Sequence, residues 1–130
     1  MHTIKVNEKD GDRTAEVIKR FNEAFIVHDS ALLNDLVAEN CEMEAAMPAP
    51  DGMRIKGRKV CLDFWEDMIK APNTQFSPEE VVVMGEKAII TWRYRWGEGK
   101  DKSIKGCTIM TVKDGLITEA VGYIKGTLAS

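Results

Sequence analysis

Val17-Ile-Lys-Arg-Phe-Asn-Glu-Ala-Phe-Ile-Val-His-Asp29 is the stretch that decides the fold. Ile18, Phe21 and Phe25 recur at three- and four-residue spacing, with Val17 and Ala24 beside them, while Lys19, Arg20 and Glu23 fall on the opposite side. That period is an amphipathic helix with one buried stripe. Asp12 is placed to cap its start, and Glu16 lies near the positive end of the helix dipole. After His28, Asp29 or Ser30 caps a second, shorter helix, in which Leu32, Leu33, Leu36 and Val37 point inward and which Asn40 closes.

Beyond Asn40 the period changes. Cys41, Met43, Ala45 and Met47 alternate with Glu42, Glu44 and Ala46, as in a half-buried strand. Pro48, Pro50 and Asp51-Gly52 then make a loop. Lys59–Lys70 predicts a third helix with Val60, Cys61, Phe64, Trp65 and Met68 on its apolar face, and Pro72 blocks its continuation. Strands follow over Glu80–Met84, Ala88–Trp96, Ser103–Val112 and Leu116–Lys125, with Lys113-Asp114-Gly115-Leu116 as a hairpin turn. Three helices first and mostly strands afterward predict an α+β domain with an antiparallel sheet.

The chain has 130 residues, 44% hydrophobic and 30% charged, which suits a single folded domain over residues 12–130 behind a flexible, charged arm over 1–11. A net charge of −3 disfavours nucleic acid or an anionic membrane as partner. Lys100, Lys102 and Lys105 cluster, but Glu98 and Asp101 dilute them. The polar opening Met1–Asp12 lacks the apolar core of a signal peptide, and no apolar run approaches the ~18 residues of a membrane span, so a cytoplasmic protein is expected. Cys41, Cys61 and Cys107 are odd in number and far apart, which predicts free thiols. With His2 and His28 as the histidines, neither at ligand spacing from a cysteine, no metal site and no cofactor are expected. No nucleophile elbow, phosphate loop or dinucleotide fingerprint is present.

Three pieces in this order and spacing carry a family likeness: Val17-x-x-x-Phe21-x-x-x-Phe25-x-x-His28-Asp29, Leu32-x-x-x-Leu36, and Gly57-x-x-x-x-x-x-Phe64-Trp65. With Val112-Lys-Asp-Gly-Leu-Ile-Thr-Glu119 as a last hairpin, the chain resembles the nuclear transport factor 2-like superfamily over about residues 13–125. Within it, the similarity is to the SnoaL-like branch of polyketide cyclases and ketosteroid isomerase-like proteins. The resemblance implies a cone: a curved, mostly antiparallel sheet wrapped around three N-terminal helices and one apolar cavity. It also implies a homodimer joined through the outer sheet face, with Thr91, Arg93 and Arg95 in or near the interface and Glu42 or Glu44 as carboxylate partners.

The branch's chemistries do not map cleanly onto this chain. Ketosteroid isomerases work with an aspartate base, a tyrosine and a neutral aspartic acid. The resemblance sets Phe21, Ala45 and, approximately, Thr108 at those positions, and neither phenylalanine nor alanine moves a proton. Isomerisation of that kind is therefore not expected. The cyclases use a pocket aspartate, for which Asp51, Asp63 and Glu119 are the nearest carboxylates. Asp63 is expected to face water, Asp51 sits in a turn, and Glu119 depends on a strand register that Thr118–Tyr123 leaves open. Epoxide hydrolysis would need an Asp-Arg-Asp set, but Arg93 and Arg95 alternate out of phase with Trp92 and Tyr94.

The expected ligand wall is Phe21 and Phe25 from the first helix, Met43 and Ala45 from the first strand, and Phe64 from the third helix. Trp92, Tyr94, Thr108 and Met110 complete it from the long strands, with Cys61 as a further polar anchor beside Tyr94 and Thr108. His28 as a base oriented by Asp29 is the weaker account, because a helix end and a cap explain both residues. Three functions remain open: a binder of a small apolar or aromatic metabolite, a cyclase- or isomerase-type enzyme using Asp51 or Glu119 with Tyr94, and a non-catalytic partner-binding module.

Overall fold

The amphipathic stripe becomes helix α1, Glu8–Ile26. Val17, Ile18, Phe21, Ala24 and Phe25 are all at most 6% exposed, and the Thr14 hydroxyl donates to the Gly85 carbonyl at 2.7 Å. The computed structural model describes residues 2–5 and 8–126. The helix begins before Asp12, and His2–Lys5 forms strand β1, within the stretch expected as an arm; residues 1, 6 and 7 of that stretch lie outside the described residues.

The second expected helix is replaced by a single 3₁₀ turn, Ser30–Leu33. Asp29 caps it by accepting from the Ala31 N–H at 3.1 Å. The chain then enters strand β2, Val37–Glu44, because the sheet captures its backbone: Ile117 N–H donates to the Leu36 carbonyl at 2.7 Å and Val37 lies opposite Ile117. Leu33, Leu36 and Val37 are buried as expected, whereas Leu32 is exposed. Apolar residues spaced 33, 36, 37 satisfy a turn entering a strand as well as they satisfy a helix.

Strand β3, Arg54–Lys56, leads into helix α2, Arg58–Lys70. Its inward side is Cys61, Trp65 and Ile69, with Phe64 and Met68 half-buried; Val60 points to solvent instead of the core. Strands β4, Gln75–Met84, β5, Lys87–Trp96, β6, Lys102–Lys113, and β7, Leu116–Ile124, follow. Strand β4 starts earlier than its Val-rich half because it continues through Pro78, where the pairing with β5 is irregular, as proline in a strand requires. Asp114 and Gly115 both adopt positive φ, the backbone of a tight hairpin turn between β6 and β7.

Among the described residues the seven strands form one sheet in the order β1-β4-β5-β6-β7-β2-β3. Pairs β1/β4 and β2/β7 are parallel, the rest antiparallel. The fold is the expected α+β cone, built on two α-helices rather than three. Register sorts the two faces. Ala88, Ile90, Trp92 and Tyr94 stand opposite Met110, Thr108, Gly106 and Ile104 on the helix-covered face. Ile89, Thr91, Arg93 and Arg95 stand opposite Ile109, Cys107, Lys105 and Ser103 on the other. No helix among the described residues is long and apolar enough to cross a membrane.

Candidate functional site

Where the inner sheet face and the two helices diverge, they enclose a cavity of about 570 Å³. Helix α1 supplies Phe21 and Phe25, and α2 supplies Phe64, Trp65 and Met68. The aromatic rings touch in series: Phe21 to Phe25 at 4.9 Å, Phe25 to Phe76 at 5.2 Å, Phe76 to Trp92 at 6.0 Å, and Trp65 edge-on to Phe21 at 5.2 Å. Met43 and Ala45 reach the cavity from β2 and its end, and Met47, Pro48 and Met53 from the following loop. Strands β5, β6 and β7 close it with Ile90, Trp92 and Tyr94, Ile104 and Thr108, and Ala120, Gly122 and Ile124.

Polar atoms in this wall are few. The Trp92 indole donates from Nε1 to the Thr108 hydroxyl at 3.0 Å. Burial pushes the Tyr94 phenol up, opposed in part by its hydrogen bond with Thr74. Glu44 borders the cavity, but its carboxylate accepts from Arg54 Nη1 at 3.5 Å on the outer face of the sheet. A wall of this kind holds a molecule by apolar contact and ring packing and offers little with which to move a proton.

Phe21, Phe25, Met43, Ala45, Phe64, Trp92, Tyr94 and Thr108 thus all border the cavity. Met110 does not: opposite Ala88 and Ala120, it is fully buried in the core. Asp51 is exposed in its loop and does not border the cavity. Glu119 settles on the outer face, because Ala120 and Gly122 oppose Met110 and Thr108 on the inner one. There its carboxylate lies 3.7 Å from Arg54 and 3.9 Å from Lys87. Asp63 is exposed and pairs with Lys59 at 2.9 Å.

Cys61 is no anchor for the cavity: its thiol lies 3.6 Å from the Cys41 carbonyl and 3.9 Å from that of Ile55. Burial, then the neighbouring Cys61, pushes the Cys41 thiol up to about 12, so neither is poised as a nucleophile. His28 donates from Nδ1 to the Ile69 carbonyl at 2.8 Å, tying the end of α1 to α2. Within the chain Glu42 and Glu44 both pair with Arg54, and Arg93 donates to the Ser103 hydroxyl at 2.9 Å. No group of three His, Cys, Asp or Glu side chains among the described residues is placed to hold a metal ion.

Sequence reasoning missed Phe76, Ile90, Ile104, Trp65 and Met68 as lining residues. Ile90 shares the phase of Trp92 on β5 and Ile104 that of Thr108 on β6, so alternation could have found both. Phe76 lies on the far side of Pro78, where a strand was not expected.

Residues 18–120 match the SnoaL-like domain. No curated protein matches the chain significantly. A nuclear transport factor 2-like protein of unknown function from Mesorhizobium loti is 41% identical, with a TM-score of 0.89 over 95% of this chain and 99% of that one. A candidate ketosteroid isomerase from Kribbella flavida is 19% identical, with a TM-score of 0.76 over 93% of this chain and 84% of that one. An LEH-like epoxide hydrolase from M. tuberculosis is 15% identical, with a TM-score of 0.73 over 92% of this chain and 83% of that one. The last two similarities speak to the fold alone.

Proposed function

Because the chain belongs to the SnoaL-like domain family, we propose that it binds a small, uncharged, largely apolar or aromatic molecule in the cone cavity, without acid–base chemistry by its own side chains. The observation that carries this is the wall itself: about 570 Å³ bounded by aromatic, methionine and aliphatic side chains, with its one bordering carboxylate, Glu44, turned to Arg54. A charged ligand there would lose its hydration and gain no counter-ion. An enzyme of the cyclase type would need a carboxylate in the cavity, and neither Asp51 nor Glu119 supplies one.

A thermal-shift screen against neutral polycyclic aromatics tests the reading. A ligand at a hundred times its Kd should stabilise the protein by about 2.7 kcal/mol through linkage. If no neutral aromatic raises the melting temperature of folded protein, while a carboxylate-dependent turnover is found, the enzyme reading replaces this one.

The outer sheet face supports a second copy of the chain as partner. Val82, Ile89, Ile109 and Val121 form a half-buried apolar centre there, and Arg95 Nη1 is buried with no hydrogen-bond partner among the described residues. Arg93→Glu should then weaken self-association in sedimentation velocity; a variant as dimeric as the parent places the interface elsewhere.

A further inference from the structure

The cavity's few polar atoms are not equivalent, and hydrogen-bond counting separates them. An indole N–H only donates, so the Trp92–Thr108 contact at 3.0 Å uses the Thr108 oxygen as acceptor. A hydroxyl has one proton, and having accepted from Trp92, Thr108 still has its own to give. No acceptor for it is found among the described residues, and Thr108 borders the cavity. The other bordering hydroxyl, on Tyr94, has Thr74 beside it, and Thr74 donates to the Ala71 carbonyl at 3.0 Å.

Trp92 is held in place from behind. A Cβ on Gly106 would fall 2.5 and 2.7 Å from two atoms of the indole ring, so the ring is seated against bare strand backbone that only glycine leaves free. That seat and the bond to Thr108 together fix which way the Thr108 oxygen lone pairs and proton are divided.

We infer that Thr108 sets the specificity of the cavity: its free O–H selects a neutral ring system bearing a carbonyl or quinone oxygen over the same ring system without one, with Trp92 as the positioning residue. This rests on the binding reading above. A ligand donor could use only the second lone pair of Thr108 and would leave the hydroxyl proton unpaired, and an anionic acceptor would meet no cation in the wall. A neutral acceptor satisfies Thr108 with no group left unpaired.

The test uses 9-fluorenone and fluorene, which differ by one carbonyl, in equilibrium dialysis with the full chain. The ketone-to-hydrocarbon affinity ratio should fall about fivefold in Thr108→Val, with fluorene binding retained, and return in Thr108→Ser. Should Val at 108 prevent folding by stranding the indole N–H, the Trp92→Phe/Thr108→Val double variant is compared with Trp92→Phe alone, and the same fall is expected. A ratio unchanged by loss of the hydroxyl overturns the inference while leaving the binder intact. Binding of neither compound to the parent protein overturns the binding reading and the inference with it.

Discussion

The two faces of strand β5 are made from one run of ten residues and do opposite things. Inward, Ala88, Ile90, Trp92 and Tyr94 bound a core and then a hollow, with the bond from Trp92 to Thr108 in the wall. Outward, Ile89, Thr91, Arg93 and Arg95 share a surface with the ion pairs of Arg54, Glu42, Glu44 and Glu119 farther along the sheet. Alternation along the strand therefore sends charge to one side and empties the other of it. The lesson is one of placement: Glu44 and Glu119 lie near the site, but their carboxylates sit on the side of the sheet away from the cavity.

The sharpest way to break that distinction is to move a charge across it. Ile90→Asp buries a carboxylate without a counter-ion and should cost about 3–5 kcal/mol. Ile89→Asp, one residue away on the half-buried outer face, should cost less, about 1–2 kcal/mol. Urea denaturation of the two variants checks this, and equal losses would erase the difference between the faces.

A smaller effect is expected at the seat of Trp92. Gly106→Ala drives a methyl group into the indole ring and against the Tyr123 carbonyl oxygen, so strand or ring must shift. The expected loss is about 1–3 kcal/mol, with tryptophan emission moving to the red as the ring is displaced. An unchanged emission spectrum would show that the ring is not seated as described.

The smallest effect is confined to alkaline pH. The Cys41 thiol is raised in the folded protein from 9.0 to about 12, so folding favours its neutral form. That contribution is complete below pH 9, where the thiol is neutral folded or unfolded, and it is lost as pH rises from about 9 toward 12. Stability should be flat through neutrality and decline above it, and Cys41→Ala should flatten the decline even if it lowers the plateau. A decline of the same slope in the variant would assign it to other groups, Tyr94 among them.

Much of this was legible from spacing. The stripe Ile18, Phe21, Phe25 and the alternation from Ala88 to Trp96 are long, regular periods, and each produced the element and the face expected of it. Short or ambiguous patterns misled. Leu33, Leu36 and Val37 fit a helix and a turn-to-strand passage equally, and the sheet decided between them by claiming the Leu36 carbonyl. Met110 has the right phase for the cavity, but phase says nothing of depth, and it lies at the packed end.

By itself the sequence determined the α+β class, the inward aromatics and the outward arginines, because a two-residue or 3.6-residue period converts directly into a face. Only the tertiary structure decided that those aromatics leave a space, that Glu119 faces away from it, and that the Thr108 oxygen is taken by Trp92. Volume, the register of the last strand and a bond between neighbouring strands all depend on residues far apart in the chain, which no local period records.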